Sequence, residues 1–234
     1  MNSQIDVIQQ GDAFELIKGV SDASVDLILC DPVWWEFDQY RFLAEAGARV
    51  LKPGGSILAE VGNLYYQQAG AAMEGFDLVY CPMVVEVMTG GNALMHHIRA
   101  ILMTKPYVWR RKAGTKADLE GQGWMPTMIR GMGKNKKDHK WGDTPAVFVQ
   151  AVARLTPPGG LVLDPFTGSG VVPRVCRNLG RHFIAFELDQ DTAATARKLA
   201  ESIQMPLFVP EMDGSESTID LEELESEVYY DGEG

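Results

Sequence analysis

Residues 161–188 read LVLDPFTGSGVVPRVCRNLGRHFIAFEL and contain the pattern that decides the fold. The apolar run Leu161–Leu163 is too short for a helix and is typical of a strand buried in a parallel sheet. A turn with two glycines follows, and a helix-like segment then extends from Val171 to Leu179. A second apolar strand, His182–Phe186, ends at Glu187. The order of strand, glycine turn, helix, strand and acid predicts a nucleotide-binding βαβ unit.

The turn DPFTGSG differs from the GxGxxG dinucleotide pattern and has no Walker lysine. Gly168 and Gly170 allow a ligand to approach the backbone, and Glu187 can hold ribose hydroxyls. A carboxylate at the strand tip, Asp164, suits a cationic ligand better than a phosphate. We therefore expect the sulfonium cofactor S-adenosylmethionine here. The alternative is a strand-to-helix connection that binds nothing.

Composition limits the classes of protein to consider. A chain of 234 residues with 46% hydrophobic content is expected to form one domain with a full core. No apolar run approaches the roughly 18 residues that span a membrane, and the N-terminus lacks a secretory pattern. The cysteines are far apart, which indicates reduced thiols in a cytoplasmic protein. We predict no metal, because His96, His97 and His139 lack ligand spacing.

The net charge of -11 hides two oppositely charged segments. Residues 211–234 hold ten of the 32 acids and no Lys or Arg, so the other 22 acids nearly balance the 21 bases. Residues 105–140 hold ten bases against three acids, interleaved with aromatic residues. The basic segment predicts contact with DNA, and a solvated surface is the alternative. The acidic tail is expected to be disordered; it solubilises the chain or contacts the basic segment.

Strands and helices alternate along the chain. This predicts an α/β fold with a doubly wound, mainly parallel sheet. Lys52–Gly55 is expected to form a turn. The region from Tyr107 to Trp141 lacks a regular hydrophobic period and is expected to form an insertion. The other main predictions are strands at Val25–Cys30 and Ser56–Val61 and helices at Asp38–Leu51, Tyr65–Met73, Ala146–Leu155 and Asp189–Ile203.

The strand Val25–Cys30 leads directly into Asp31, Pro32, Val33 and Trp34, a loop at the carboxyl end of a strand, where open α/β sheets bind ligands. Methylation of an exocyclic amino group needs an acceptor carboxylate and a carbonyl that bind its hydrogens. Asp31 and Pro32 could supply these groups, and Trp34 could stack on a base flipped out of the duplex. The rate enhancement would come from holding the nitrogen, the methyl carbon and the sulfur in line. A plain strand-ending turn and a core tryptophan are the alternatives.

The two motifs together resemble the beta-group DNA amino-methyltransferases, which make N6-methyladenine or N4-methylcytosine. Three stretches are similar: GDAFELIKGVSDASVDLILCDPVWW, VLKPGGSILAEV, and residues 144–200, which include DPFTGSG and LGRHFIAFELD. They cover roughly half of the chain. The resemblance implies a Rossmann-like, circularly permuted S-adenosylmethionine-dependent methyltransferase fold, with the catalytic tetrapeptide preceding the cofactor loop.

The resemblance also implies a role for each matching residue. Asp31, Pro32 and Trp34 match the catalytic tetrapeptide. Near the adenine the cofactor position is Asp12, and Ala13 and Phe14 of the same turn are further cofactor-binding candidates. Asp164, Phe166, Gly168 and Gly170 match the cofactor loop around the methionine and sulfonium portion, and Glu187 matches the acid at the ribose. Thr144 and Pro145 precede the closing helix, and Asp31 also adjoins the cofactor. The candidate DNA-contacting residues are Arg110, Arg111, Lys112, Arg130, Lys134, Lys136 and Lys137.

The chain departs from the family pattern at two positions. Val33 stands where the tetrapeptide usually has a second proline, and Thr144 replaces a lysine. We predict a stand-alone adenine N6 methyltransferase from a phage or a restriction-modification set, because the tetrapeptide begins with Asp. A cytosine N4 enzyme, a degenerate cofactor- or DNA-binding module, and a homodimer stay open. The predicted regions are a catalytic half (1–104), a basic target-recognition insertion (105–140), a cofactor-binding half (141–210) and an acidic tail (211–234).

Overall fold

The computed structural model describes residues 5–88, 93–95, 100–131 and 146–201. The strands are β1 (Val7–Gln10), β2 (Val25–Cys30), β3 (Leu51–Glu60), β4 (Val79–Tyr80), β5 (Val84–Val87), β6 (Ala93–Met95), β7 (Ala100–Leu102), β8 (Thr104–Arg111), β9 (Met128–Arg130), β10 (Leu161–Asp164) and β11 (His182–Glu187). The helices are α1 (Ala13–Leu16), α2 (Phe37–Val50), α3 (Tyr66–Ala72), α4 (Ala146–Leu155), α5 (Val171–Asn178) and α6 (Gln190–Glu201).

One twisted sheet joins nine of the described strands. Its order is β1-β11-β10-β2-β3-β8-β5-β9, and β4 also pairs with β8. The pairs from β1 to β3 are all parallel, whereas β8 runs antiparallel to both β3 and β5. The carboxyl ends of β11, β10, β2 and β3 therefore meet at one edge of the sheet.

Helices cover both faces of this sheet. One core cluster packs α4, α5 and α6 against residues such as Leu27, Leu29 and Phe183. A second cluster packs α1, α2 and α3 against the other face, which includes Ile28 and Ile184. Neighbouring residues of β2 belong to opposite clusters and all six are buried, as the continuous apolar run requires. The predicted α/β fold with a doubly wound, mainly parallel sheet is confirmed.

Several predicted elements match closely, and two differ. The strand Val25–Cys30 and the helix Ala146–Leu155 have the predicted bounds. Lys52–Gly55, predicted as a turn, instead belongs to β3, which begins at Leu51. Backbone hydrogen bonds between Gly54, Gly55 and Lys112 continue the ladder there, and the positive φ of Gly54 (+77°) accommodates the bend.

The second difference concerns the start of the basic segment. Residues 104–111 form β8, a central strand that lies between β3 and β5, so this part of the segment is sheet rather than insertion. An insertion can begin only after Arg111. In the part of the chain that is described, no helix combines the length and apolar character needed to cross a bilayer.

Candidate active site at the carboxyl edge of the sheet

Two loops that are distant in sequence meet at the carboxyl edge. β10 and β2 are adjacent, with Leu163 beside Ile28, so the turn after Asp164 and the loop that starts at Asp31 leave neighbouring strands. The negative charge of Asp31 acts on Asp164, and both charges act on the Cys30 thiol. The structure therefore brings the two predicted loops together.

The glycine turn is stabilised by its own backbone and by Glu187. One carboxylate oxygen of Glu187 accepts the N–H of Gly168 at 2.9 Å, and the other accepts the N–H of Asp189 at 2.9 Å. Gly168 and Gly170 have positive φ angles of 50° and 81°. A Cβ at Gly170 would lie 3.1 Å from Ala196, whereas a Cβ at Gly168 would meet nothing within 4 Å. Gly170 thus permits helix packing, and Gly168 leaves open space beside the turn.

Asp164 is the buried carboxyl group of this turn, with only 2% of its surface exposed. It accepts the N–H of Phe166 at 3.2 Å. Burial raises the pKa of Asp164 to about 7, and the negative charges of Asp31 and Glu187 contribute to the shift. A cation placed beside this group would favour its ionised form.

The residues predicted near an adenine lie beside the same turn. Gly11 donates its N–H to the Glu187 carbonyl, which places the start of α1 next to the end of β11. Asp12 caps α1 by accepting the Phe14 N–H at 2.9 Å, and Ala13 is buried. The Phe14 ring is partly exposed and lies 4.3 Å from Phe42, whose centroid is 6.0 Å from Phe166. These contacts form an aromatic surface between the first turn of α1 and the glycine turn.

Side chains from other elements stabilise the second loop. Trp34 donates its indole N–H to Asp31 Oδ1 at 3.0 Å. A Cβ at Gly62 would lie only 2.8 Å from Trp34 Cε3, so the glycine allows the indole to pack closely there. Val33 donates its backbone N–H to Gln39 Oε1 at 2.9 Å, a hydrogen bond that proline could not make. Pro32, in the same loop, is buried.

Sequence reasoning missed a polar cluster beside Asp31. Glu60 ends β3, is 1% exposed, and accepts hydrogen bonds from Lys105 Nζ at 2.9 Å and from Tyr107 Oη at 3.0 Å. Glu86, on β5, accepts the N–H of Ala146 at 3.0 Å. An acid at the carboxyl end of a strand was the signal used for Glu187, and the same signal could have identified Glu60.

Three of the basic residues predicted to contact DNA have structural contacts instead. Arg110 is 5% exposed, donates to the Gly70 carbonyl at 3.0 Å and packs over the ring of Tyr80. Arg111 donates to Ser56 and Gln122, and Lys112 donates to the Leu51 carbonyl.

The direction of β8 explains why Arg110, Arg111 and Lys112 do not face the candidate active site. Because β8 is antiparallel to β3, the end that carries Arg110 and Arg111 pairs with Ile57 and Ser56, towards the amino edge of the sheet. Lys105, at the other end of β8, lies at the carboxyl edge. Arg130 is exposed at the end of β9 and stays a candidate for DNA contact. Lys134, Lys136 and Lys137 lie outside the described residues, as do Thr144, Pro145 and the acidic tail.

Comparisons with known proteins agree with this arrangement. The N6/N4 methyltransferase family, described as DNA methylase, matches residues 111–198, and a methyltransferase domain family matches residues 2–59. The type II methyltransferases M.HpaI of Haemophilus parainfluenzae and M.HinfI of Haemophilus influenzae are each 22% identical to the chain. The matches cover 81% of this chain and 72% of M.HpaI, and 87% of this chain and 70% of M.HinfI.

Solved structures show the same fold. The complex of M1.HpyAVI with S-adenosylmethionine matches with a TM-score of 0.65 and 23% identity, over 83% of this chain and 98% of that one. The cytosine-N4-specific PvuII DNA methyltransferase matches with a TM-score of 0.68 and 16% identity, over 84% and 87% of the two chains. Together, the family and relative matches support an S-adenosylmethionine-dependent DNA methyltransferase of the N6/N4 type.

Proposed function

We propose that this chain transfers a methyl group from S-adenosylmethionine to the N6 amino group of an adenine that is flipped out of DNA. The observation that carries the proposal is the adjacency of the Asp31 loop and the Asp164 turn at the ends of β2 and β10. The order of the two loops along the chain supports the permuted, beta-group form of the fold.

Asp31 and Pro32 act on the target amino group. That nitrogen is conjugated with the ring and is a weak nucleophile. The Asp31 carboxylate and the Pro32 carbonyl accept its two hydrogens, which turns the nitrogen lone pair towards the methyl donor. Trp34 orients Asp31 through the indole hydrogen bond and offers a ring on which the base stacks. No covalent intermediate is needed, so the acceleration comes from holding nitrogen, methyl carbon and sulfur in line.

The residues of the glycine turn fit the cofactor. Asp164 is a buried carboxyl group that a sulfonium charge would favour in its ionised form, and Gly168 leaves open space beside it. Glu187 would bind the ribose hydroxyls, the exposed ring of Phe14 would contact the adenine, and Phe166 would lie beside the methionine and sulfonium portion. When bound, S-adenosylmethionine supplies an activated methyl group on a positively charged sulfur.

DNA would contact the surface around this edge. The exposed Arg130 is the described member of the proposed DNA-contacting set, which also contains Lys134, Lys136 and Lys137. With β8 assigned to the sheet, the proposed recognition insertion covers 112–140, between a catalytic half and a cofactor-binding half, and β9 within it joins the sheet edge beside β5. We place the protein in the cytoplasm, as a phage or restriction-modification enzyme whose acidic tail, 211–234, solubilises it or contacts the insertion.

A methylation assay tests the proposal. The full chain is incubated with methyl-labelled cofactor and mixed-sequence DNA, single-stranded and duplex, beside Asp31→Ala and the matched surface variant Glu45→Gln. We expect label in DNA with the parent and with Glu45→Gln, and its loss with Asp31→Ala. Nucleoside analysis should yield N6-methyldeoxyadenosine. N4-methyldeoxycytidine would instead establish the cytosine alternative, and cofactor binding without any transfer would establish a degenerate binding module.

A further inference from the structure

An ion pair between strands lies beside the proposed catalytic loop. Lys105, at the start of β8, places Nζ 2.9 Å from Glu60 Oε1 on β3. The other Glu60 oxygen accepts the Tyr107 hydroxyl at 3.0 Å, and the same hydroxyl lies 3.4 Å from Glu86 Oε2. Glu60 is almost completely buried, whereas Lys105 keeps 38% of its side chain exposed. The function described so far does not use this pair.

Strand register places Glu60 next to Asp31. β2 and β3 are parallel, with Cys30 opposite Ala59, so Asp31 and Glu60 follow at neighbouring strand ends. Like charges on neighbouring strand ends oppose each other's ionisation. Burial, and next the charge of Asp31, raise the pKa of Glu60. Partial loss of hydration also raises the pKa of Asp31, and the Trp34 hydrogen bond, followed by the charge of Lys105, acts against that rise.

The protonation state of Asp31 decides what it can do. An ionised carboxylate only accepts hydrogen bonds, whereas a protonated one presents a donor O–H that competes with an amino group. The site therefore needs a cation near its carboxylates. Burial alone would lower the pKa of Lys105, but Glu60, Asp31 and Glu86 outweigh it and the pKa is raised, so the ammonium is retained.

We propose that Lys105 is a positioning residue of this site: its ammonium, held against Glu60, offsets the negative charge of Glu60 and so keeps Asp31 in the ionised form that accepts hydrogens from the target amino group. The role rests on the proposed function. Lys105 does not touch the reacting atoms in this scheme, and it acts through Glu60 and Asp31.

Other groups also face these carboxylates. Tyr40, on α2, donates its hydroxyl to the Glu60 carbonyl at 2.8 Å. The described titratable groups around Asp31 are Cys30 on β2, Tyr40 on α2, Glu60 on β3, Lys105 and Tyr107 on β8, and Asp164 on β10. In this set Lys105 is the cation, so its removal should have a larger effect than that of any neutral neighbour.

Two variants that should shift the ionisation of Asp31 in opposite directions test the role of Lys105. Lys105→Met removes the positive charge, and Glu60→Gln removes the competing negative charge while keeping the side-chain shape. The midpoint of Asp31 ionisation is followed by carboxyl 13C NMR, assigned with Asp31→Asn, and the methyl-transfer rate is measured across pH. We expect Lys105→Met to raise the midpoint of Asp31 ionisation and the midpoint of the pH–rate profile by about one pH unit. Glu60→Gln should lower both midpoints. Lys105→Arg should restore the parent midpoint.

The rate should fall roughly tenfold in Lys105→Met on the acidic limb and recover at high pH, since a shift of one unit is a tenfold change in ionised fraction. A general loss of structure would not shift the two variants in opposite directions. An active parent whose Asp31 midpoint is unchanged in Lys105→Met would overturn this role alone. A parent that binds DNA and cofactor without transferring methyl groups would overturn the proposed function, and this role with it.

Discussion

The turn after β10 and the loop after β2 lie at neighbouring strand ends but are stabilised in different ways. The turn is held mainly by local contacts: glycines with positive φ, backbone bonds to Glu187, and a buried Asp164. The loop depends on residues from elsewhere, because Gln39 binds its backbone and Gly62 accommodates Trp34. A cofactor site can thus be built into a short motif, whereas the acceptor site depends on the surrounding fold.

The largest expected effect separates the two regions by their kinetic roles. Asp31→Asn keeps the oxygen that accepts the Trp34 indole but lacks the full carboxylate, so methyl transfer should fall about 100- to 1,000-fold. Its cofactor affinity should fall far less than its rate, by no more than about threefold, because Asp31 adjoins the cofactor but acts mainly on the amino group. Asp164→Asn should show the converse pattern, with weaker cofactor binding. Calorimetry measures the cofactor affinity of both variants. Equal losses of that affinity would contradict the division into an acceptor loop and a cofactor turn.

The next effect is the pH dependence of stability that Asp164 imposes. Its folded pKa, about 7, is above the usual 3.8, so between these values the folded state retains a proton that the unfolded state loses. Stability therefore declines as pH rises through this window, by about 4 kcal/mol for a shift of this size. Asp164→Asn should flatten that decline and be more stable than the parent at pH 8 without cofactor. Urea unfolding at pH 5 and 8 measures this, and an equally steep decline in the variant would contradict it.

A matched pair of glycine variants sharpens the account of the turn. Gly168→Ala introduces only the cost of a positive φ, about 1 kcal/mol, because its methyl would face open space. Gly170→Ala has the same backbone cost and also presses on Ala196 at 3.1 Å, which adds about 1–2 kcal/mol. Denaturant unfolding should rank Gly170→Ala as the less stable variant. The reverse order would mean that the α6 contact does not constrain the turn.

The smallest expected effect tests the stabilisation of the second loop. Gln39→Ala removes the partner of the Val33 N–H, a hydrogen bond with a net value of about 1 kcal/mol, so the rate should fall roughly fivefold. Val33→Pro removes that N–H and stiffens the loop. In a double-mutant cycle, Gln39→Ala should therefore cost almost nothing in the Val33→Pro background. Additive losses would show that Gln39 acts through some other contact.

Much of the fold was predictable because its signals are local. The apolar run Val25–Cys30 and the helix Ala146–Leu155 have the predicted bounds, and the glycine turn has the predicted order of elements. The route of β8 was not predictable in this way. Its basic and aromatic residues suggested an exposed insertion, but its pairing between β3 and β5 buries Arg110 and places Arg111 at the amino edge.

The sequence by itself determined the βαβ unit and the two acid-containing loops, because glycine conformations, strand hydrophobicity and strand-ending carboxylates depend on neighbouring residues. Only the tertiary structure decided which charges share an environment. The pairing of β3 with β2 and β8 places Glu60 and Lys105 beside Asp31, although Lys105 is 74 positions away in the chain. Charges interact through space, and burial strengthens that interaction, so the electrostatics of the site follow from strand order rather than from sequence order.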